Sequence, residues 1–206
     1  MLDPALNKVP DQLLEVYPPD SFDYIASIMS KRLLYSDVDR FWVCRDPIFK
    51  EVLNSFDKNP VNILQVGAIE TLSGFRWRVS SGWSDIIWGE YINKHGGQLS
   101  VVDVDIDHLS HSALVGQNLG YPVALLYGDG ADRIDDQNKQ GVEYNIYYLD
   151  GGNDPQETLD QYLKVKDKNC VVIIDDYSIK GTLINEDNIN ITKHDIFNGI
   201  AVIDSR

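Results

Sequence analysis

The chain has 206 residues, of which 43% are hydrophobic, and a formal net charge of −14. That length suits one domain with a substantial core, with room for a terminal extension. A phosphate-binding surface needs clustered lysines and arginines, so the acidic balance argues against a nucleic-acid partner.

The sequence also favours a cytoplasmic protein. Its two cysteines, Cys44 and Cys170, are far apart and do not suggest a disulfide framework, which fits a reducing compartment. The N-terminus has neither the basic nor the apolar segment of a signal peptide. No apolar run approaches the roughly 20 residues that span a bilayer, so we expect no membrane partner.

The N-terminal region, residues 1–59, differs in character from the rest of the chain. It is mixed in polarity, and prolines separate short helical patterns such as Phe22–Met29. This composition predicts a helical extension that packs on the main domain or covers a site. We therefore divide the chain into an N-terminal helical extension, 1–59, and a main domain, 60–206.

From Val61 onward, apolar strands alternate with helical patterns. This alternation predicts βαβ units and a Rossmann-like, doubly wound, mostly parallel sheet. Two later apolar runs predict an antiparallel hairpin at the sheet edge. The predicted strands are Asn62–Val66, Leu99–Val104, Val123–Tyr127, Tyr144–Asp150, Cys170–Asp175, Asn188–Thr192 and Ile200–Ile203, and the predicted helices are Ser84–His95, Asp107–Leu119, Ala131–Asp136 and Asp154–Lys166.

Glycine follows the first predicted strand. Open α/β sheets bind ligands beyond the carboxyl ends of their strands, where Gly67 and Ala68 lie. The loop after them leads to Gly82, Trp83 and Ser84, where a helix begins and offers free N–H groups to an anion. A tight turn without a ligand explains this unit, taken alone, about as well.

Aspartates follow the next two strands. Asp103 and Asp105 are two residues apart, so their side chains face the same way, and an acidic residue here commonly accepts hydrogen bonds from ribose hydroxyls. We favour that role for Asp103 and helix capping for Asp105. The third strand leads into Gly128 and Asp129, whose position favours contact between the carboxylate and an adenine amino group.

The most informative stretches are the two that end in Asp150 and in Asp175 and Asp176. Adjacent strand ends would bring these three carboxylates together, and their mutual repulsion would be relieved by a hard cation such as Mg²⁺. The alternative is that Asp175 or Asp176 caps a turn or pairs with an arginine or lysine. After Asp150, the sequence predicts Asp154 as the N-cap of a helix, with Pro155 in its first turn.

These motifs, taken in order, resemble class I S-adenosylmethionine-dependent methyltransferases, and within them the macrocin-type sugar O-methyltransferase branch. The resemblance covers residues 61–178, and its most specific parts are Leu149-Asp150-Gly151 and Ile174-Asp175-Asp176-Tyr177. It implies an enzyme that methylates a hydroxyl of a small molecule or sugar. A homo-oligomer is compatible with it.

The resemblance also implies roles for individual residues. Gly67, Ala68 and the turn at Gly82, Trp83 and Ser84 would hold the methionine portion of the cofactor. Ribose would contact Asp103, with Asp105 beside it, and adenine would contact Gly128 and Asp129. Asp150, Asp175 and Asp176 would hold Mg²⁺, with Asp150 also touching the cofactor and acting as the base.

Three departures from the family pattern bear on this expectation. The chain has Gln65 where the family often has an acid, and it has Gly152 and Asn153 where an acid and a histidine often follow the Asp-Gly step. The first loop is also longer. These features keep open a non-catalytic S-adenosylmethionine-binding module. An NAD-dependent dehydrogenase is less favoured, because the chain lacks Gly-x-Gly-x-x-Gly after the first strand.

Weaker candidates have simpler explanations. Arg76 and Arg78 fit an exposed basic loop, and His108 and His111 are expected at the surface of a helix. Tyr147 and Tyr148 are expected in the core.

Overall fold

The computed structural model describes residues 40–70, 84–195 and 199–206. Within these ranges, no helix has both the length and the hydropathy needed to cross a bilayer. The helices are α1 (Arg40–Asn54), α2 (Ser84–His95), α3 (Ile106–Leu119), α4 (Gly130–Lys139), α5 (Pro155–Leu163) and α6 (Tyr177–Lys180). The strands are β1 (Val61–Val66), β2 (Gly97–Asp103), β3 (Val123–Tyr127), β4 (Ile146–Leu149), β5 (Val171–Asp175), β6 (Ile191–His194) and β7 (Ile200–Asp204).

The strands form one sheet in the order β3-β2-β1-β4-β5-β7-β6. The first five pair in parallel, and β7 lies antiparallel to both β5 and β6. This confirms the predicted Rossmann-like α/β fold with an antiparallel edge. The order reverses at β1, whose neighbours are β2 and β4, and such a switch point opens a crevice at the carboxyl ends of the strands.

Most predicted elements agree with the structure to within a few residues, and one edge strand is displaced. β6 begins at Ile191, three residues later than expected, because Asn188 adopts a left-handed conformation with φ of 67° and belongs to a turn. The hairpin residue Asn198 and the helical pattern Phe22–Met29 lie outside the described residues.

Side chains alternate along the buried strands and build a core on each face of the sheet. On β4, Tyr148 faces one core and Tyr147 the other, and both are buried as predicted. The first core contains an aromatic cluster in which the Phe49 ring of α1 lies 4.7 Å from Trp88 and 5.3 Å from Tyr148. Helix α1 is therefore part of this core. The predicted domain boundary near residue 59 stays a prediction.

The buried carboxyl group of Asp85, in the first turn of α2, makes the stability of the fold depend on pH. Asp85 is fully buried, and burial raises its pKa well above the ordinary aspartate value. The folded protein therefore holds this proton more tightly than the unfolded chain does. The contribution of Asp85 to stability is most favourable below the unfolded pKa and is lost as the pH rises through the folded one.

We expect Asp85→Asn to raise the free energy of unfolding by roughly 1–3 kcal/mol at pH 8 and to change it little at pH 4. Urea denaturation at both pH values measures this. Asp107→Asn is the control, because Asp107 lies in the first turn of α3 but is exposed. If Asp85→Asn instead destabilises the protein equally at both pH values, the pKa of Asp85 is not raised in the folded state.

Candidate functional site

The crevice is formed where the ends of β1 and β4 approach each other. The Asp150 N–H donates to the Val66 carbonyl at 3.0 Å, and Gly67, directly after β1, has a φ of +98°. A Cβ on Gly67 would lie only 2.5 Å from the Asp150 carbonyl oxygen. This position requires glycine for two independent reasons, backbone conformation and close approach.

Gln65 lies beneath this turn and is fully buried. Its Nε2 donates to the Gly67 carbonyl at 2.7 Å, and its Oε1 accepts from the Ser84 hydroxyl at 2.9 Å and from Trp88 Nε1 at 3.0 Å. One amide thus joins the end of β1 to the start of α2. A carboxylate cannot donate to the Gly67 carbonyl, which explains why this chain has glutamine where the resembling family often has an acid.

Asp103, at the end of β2, holds the loop that follows β1. Its Oδ2 accepts from the Ala68 N–H at 2.8 Å, and its Oδ1 accepts from the Asp105 N–H at 2.8 Å. His108 Nδ1 lies 3.5 Å from Oδ2. A carboxylate has about four acceptor positions, so Asp103 retains capacity for a ligand hydroxyl.

Two other predicted cofactor residues cap helices. Asp105 is the N-cap of α3 and accepts from the Asp107 N–H, in agreement with the capping role that we favoured for it. Asp129 is the N-cap of α4 and accepts from the Asp132 N–H at 3.0 Å. Gly128 precedes it with a φ of +137° and donates to the Asp103 carbonyl, which places Asp129 beside the end of β2.

An acidic cluster closes the other side of the crevice. Asp150, Asp175 and Lys180 are at most 6% exposed. The Tyr148 hydroxyl lies 2.6 Å from Asp175 Oδ2 and 3.2 Å from Asp150 Oδ2, so one phenol joins the two carboxylates. Lys180 Nζ donates to Asp150 Oδ1 at 2.8 Å and lies 3.7 Å from Asp176 Oδ2.

The charge of Lys180 is maintained by these neighbours. Burial by itself lowers the pKa of a lysine, but the charge and hydrogen bond of Asp150, with Asp175 and Asp176, raise the pKa of Lys180 above its ordinary value. Asp150 and Lys180 thus form a buried ion pair. Such a pair is strongly destabilised when one partner is removed, because a buried charge is left uncompensated.

This arrangement differs from the metal site predicted at Asp150, Asp175 and Asp176. The three residues do come together, but the ammonium of Lys180 lies against Asp150 and Asp176, where the cation was expected. Among residues 40–70, 84–195 and 199–206, no group of three or more His, Cys, Asp or Glu side chains has an arrangement suited to a metal ion. The residues present do not fit the expected Mg²⁺ and match the alternative of pairing with a lysine.

Other predicted residues have mixed outcomes. Gly82, Trp83, Arg76 and Arg78 lie outside the described residues, whereas Ser84 is the buried first residue of α2. His111 was expected at the surface but is buried. Its Nδ1 lies 2.9 Å from the Ile69 carbonyl oxygen, so it supports the loop after β1. Cys170 is buried, and burial raises the pKa of its thiol to about 11.

Sequence reasoning missed two functional groups of the cluster. Tyr148 was assigned only to the core, although its hydroxyl reaches the carboxylates. Lys180 was not considered, yet it follows Asp176 by four residues, a spacing that brings opposite charges together on a helix. That spacing is the signal that could have identified it.

A cavity of about 240 Å³ lies elsewhere, beside α1, β5, β6 and β7, and does not include the acidic cluster. It reaches Val171 at the start of β5 and Asp204 at the end of the antiparallel β7. Both positions are at the end of the sheet opposite the crevice. This cavity is therefore separate from the crevice.

No family model and no curated protein sequence matches the chain. Several solved structures share its architecture. A putative caffeoyl-CoA O-methyltransferase from Staphylococcus aureus has a TM-score of 0.58 and 10% identity, over 95% of this chain and 98% of that one. The SAH-bound Podospora anserina methyltransferase PaMTH1 has a TM-score of 0.53 and 13% identity, over 96% of this chain and 89% of that one.

The MycE methyltransferase of the mycinamycin biosynthetic pathway, in complex with Mg, SAH and mycinamycin VI, has a TM-score of 0.52 and 12% identity over 77% of this chain. The match spans about half the length of MycE, 48%. The fold is Rossmann-like, as in these solved structures. At these identities the likeness concerns the fold alone, and the macrocin-type branch stays a prediction.

We expect Gly67→Ala to cost about 2–4 kcal/mol in the free energy of unfolding, because it adds a steric clash to an unfavourable φ. Gly141→Ala is the matched control. Gly141 also has a positive φ, 73°, but no atom lies within 4 Å of its added Cβ, so that change should cost about 1 kcal/mol. Equal costs in urea denaturation would mean that β1 and β4 do not approach so closely.

We expect Gln65→Glu to lower the free energy of unfolding at pH 8 by about 2–4 kcal/mol, since a buried carboxylate would face the Gly67 carbonyl. The loss should shrink in acid, where a protonated glutamate can donate. Gln98→Glu, at an exposed position of β2, is the control. A Gln65→Glu protein as stable as the control at pH 8 would refute the bridging role of the amide.

Proposed function

We propose that the protein is an S-adenosylmethionine-dependent methyltransferase that acts on a hydroxyl group of a small molecule or sugar. The observation that carries this proposal is the order of residues along the switch-point crevice. Gly67 forms the close turn after β1, Asp103 ends β2, and Asp129 caps α4. This order follows the extended shape of the cofactor from methionine through ribose to adenine.

Apolar surface beside these residues supports an adenine site. Val104, Ile106 and Tyr127 are 60–66% exposed, and Tyr127 is paired with Asp103 in the sheet register. Exposed apolar side chains gathered at one place often mark a ligand site. We assign them to the adenine ring, with Asp129 accepting from its amino group.

Bound S-adenosylmethionine would supply a methyl group to the acceptor oxygen and leave as S-adenosylhomocysteine, while a base would take the hydroxyl proton. Asp150 is our proposed base because it lies next to Gly67, on the methionine side of the crevice. Its Oδ1 already accepts a hydrogen bond from Lys180 Nζ at 2.8 Å. The rate enhancement would then come mainly from holding the oxygen in line with the methyl group.

Isothermal titration with S-adenosylmethionine tests the cofactor assignment, and Asp129→Asn tests the adenine contact. We expect the wild-type protein to bind and Asp129→Asn to lose about tenfold in affinity, the value of one charge-assisted hydrogen bond. Asp154→Asn is the control, since Asp154 is the N-cap of α5 and asparagine caps equally well. No binding by the wild-type protein at about millimolar cofactor would refute the proposal.

A second candidate is a non-catalytic S-adenosylmethionine-binding module. The contacts of Lys180 and Tyr148 with the two oxygens of Asp150 favour it, as do Gly152 and Asn153 in place of an acid and a histidine. Methyl transfer from labelled cofactor to a panel of phenols and sugars separates the two. In an enzyme, Asp150→Asn lowers turnover in protein whose circular dichroism shows that it is folded, whereas a binding module has no turnover to lose.

A further inference from the structure

A lysine lies at the position where the sequence predicted a metal ion. Lys180 ends the four-residue helix α6 and is 2% exposed. Its Nζ lies 2.8 Å from Asp150 Oδ1 and 3.7 Å from Asp176 Oδ2. The ammonium therefore contacts side chains from both strand ends, β4 and β5, as a bridging cation would.

The backbone conformation after β5 places Lys180 next to the carboxylates. Asp176 adopts the left-handed conformation, with φ of 47° and ψ of 43°, which is uncommon for a residue other than glycine. Its N–H donates to Asp175 Oδ1 at 2.8 Å, and the short helix that follows returns the chain toward the sheet. The Lys180 N–H donates to the Asp176 carbonyl, so the ammonium stays close to the carboxylate four residues earlier.

The Lys180 ammonium and the Tyr148 hydroxyl already contact the carboxylate oxygens that would have to bind a cation. Mg²⁺ requires several oxygen ligands at about 2.0–2.1 Å in near-octahedral geometry. Asp150 Oδ1 is hydrogen-bonded to the ammonium, and Asp150 Oδ2 and Asp175 Oδ2 share the Tyr148 hydroxyl. A metal ion would have to displace the buried Lys180 side chain.

We propose that Lys180 permanently takes the place of a divalent cation, so that the crevice binds its cofactor without a metal ion. Lys180 acts here as a positioning residue. It fixes the orientation of the Asp150 carboxylate through the hydrogen bond to Oδ1. As a statement about methyl transfer, this inference rests on the proposed function, but its main test requires neither turnover nor cofactor.

The test is the binding of Mn²⁺, followed by the electron paramagnetic resonance signal of the free ion. Lys180→Met removes the ammonium and retains much of the side-chain volume, so it exposes the three carboxylates to a cation. We expect the wild-type protein and the Lys193→Met variant to bind Mn²⁺ equally weakly. Lys180→Met should bind it about tenfold to a hundredfold more tightly. Lys193→Met is the matched control, because Lys193 also pairs with a carboxylate, Glu186, but is exposed.

Further variants locate the site and guard against misfolding. Lys180→Arg retains the charge and should bind Mn²⁺ as weakly as the wild type, whereas Asp150→Asn combined with Lys180→Met should lose the gained affinity. If Lys180→Met does not fold, Mn²⁺ binding by the wild-type protein still tests the proposal. Tight Mn²⁺ binding by the wild type that Asp150→Asn abolishes would overturn the proposal, and its absence supports it.

A titration with S-adenosylhomocysteine separates this inference from the proposed function. We expect its affinity for the wild-type protein to be the same in EDTA and in excess Mg²⁺. A loss of more than about threefold in EDTA would overturn the role of Lys180. A complete lack of binding under both conditions would refute the proposed function, while the Mn²⁺ measurements would still report on Lys180.

Discussion

The close approach of β1 and β4 at their carboxyl ends is the constraint from which the rest of the crevice follows. It fixes glycine at position 67, and it places the Asp150 backbone next to the turn that leads to the first loop. The Gln65 amide supports that turn from below by joining it to α2. A ligand entering at the switch point would therefore meet a rigid floor of backbone and amide groups.

Charge balance is the second constraint. Asp150 and Asp175 are buried beside the aromatic core, and Asp176 next to them is partly exposed. Tyr148 connects the two regions because its ring packs in the aromatic cluster while its hydroxyl contacts the two buried acids. Carboxylates at such a place must be compensated. Lys180 supplies the compensating charge from within the chain.

The fold could be predicted from the sequence because the strand segments are strongly apolar and helical patterns separate most of them from one another. The bounds of β3 and α2 agree with the prediction at both ends, and Asp154 and Pro155 begin α5 as their residue types indicate. The start of β6 was predicted three residues too early, because Asn188 takes a left-handed conformation, with φ of 67°, and so belongs to the preceding turn.

The candidate site was predictable in part. Strand ends brought Gly67, Asp103, Asp129 and the acidic cluster to one edge, as expected from topology. The partners of these residues were not predictable, because Tyr148 and Lys180 act through side-chain contacts that no strand pattern encodes. The burial of His111 was missed for a related reason: the Ile69 carbonyl that it contacts belongs to a loop, not to a periodic element.

A crystal structure with bound S-adenosylhomocysteine tests the central claim most directly. The account predicts the ligand across the ends of β1 and β2, with its ribose at Asp103, its adenine at Asp129, and Lys180 still bonded to Asp150. A ligand bound elsewhere would contradict the account, as would a metal ion held by Asp150, Asp175 and Asp176 with Lys180 displaced.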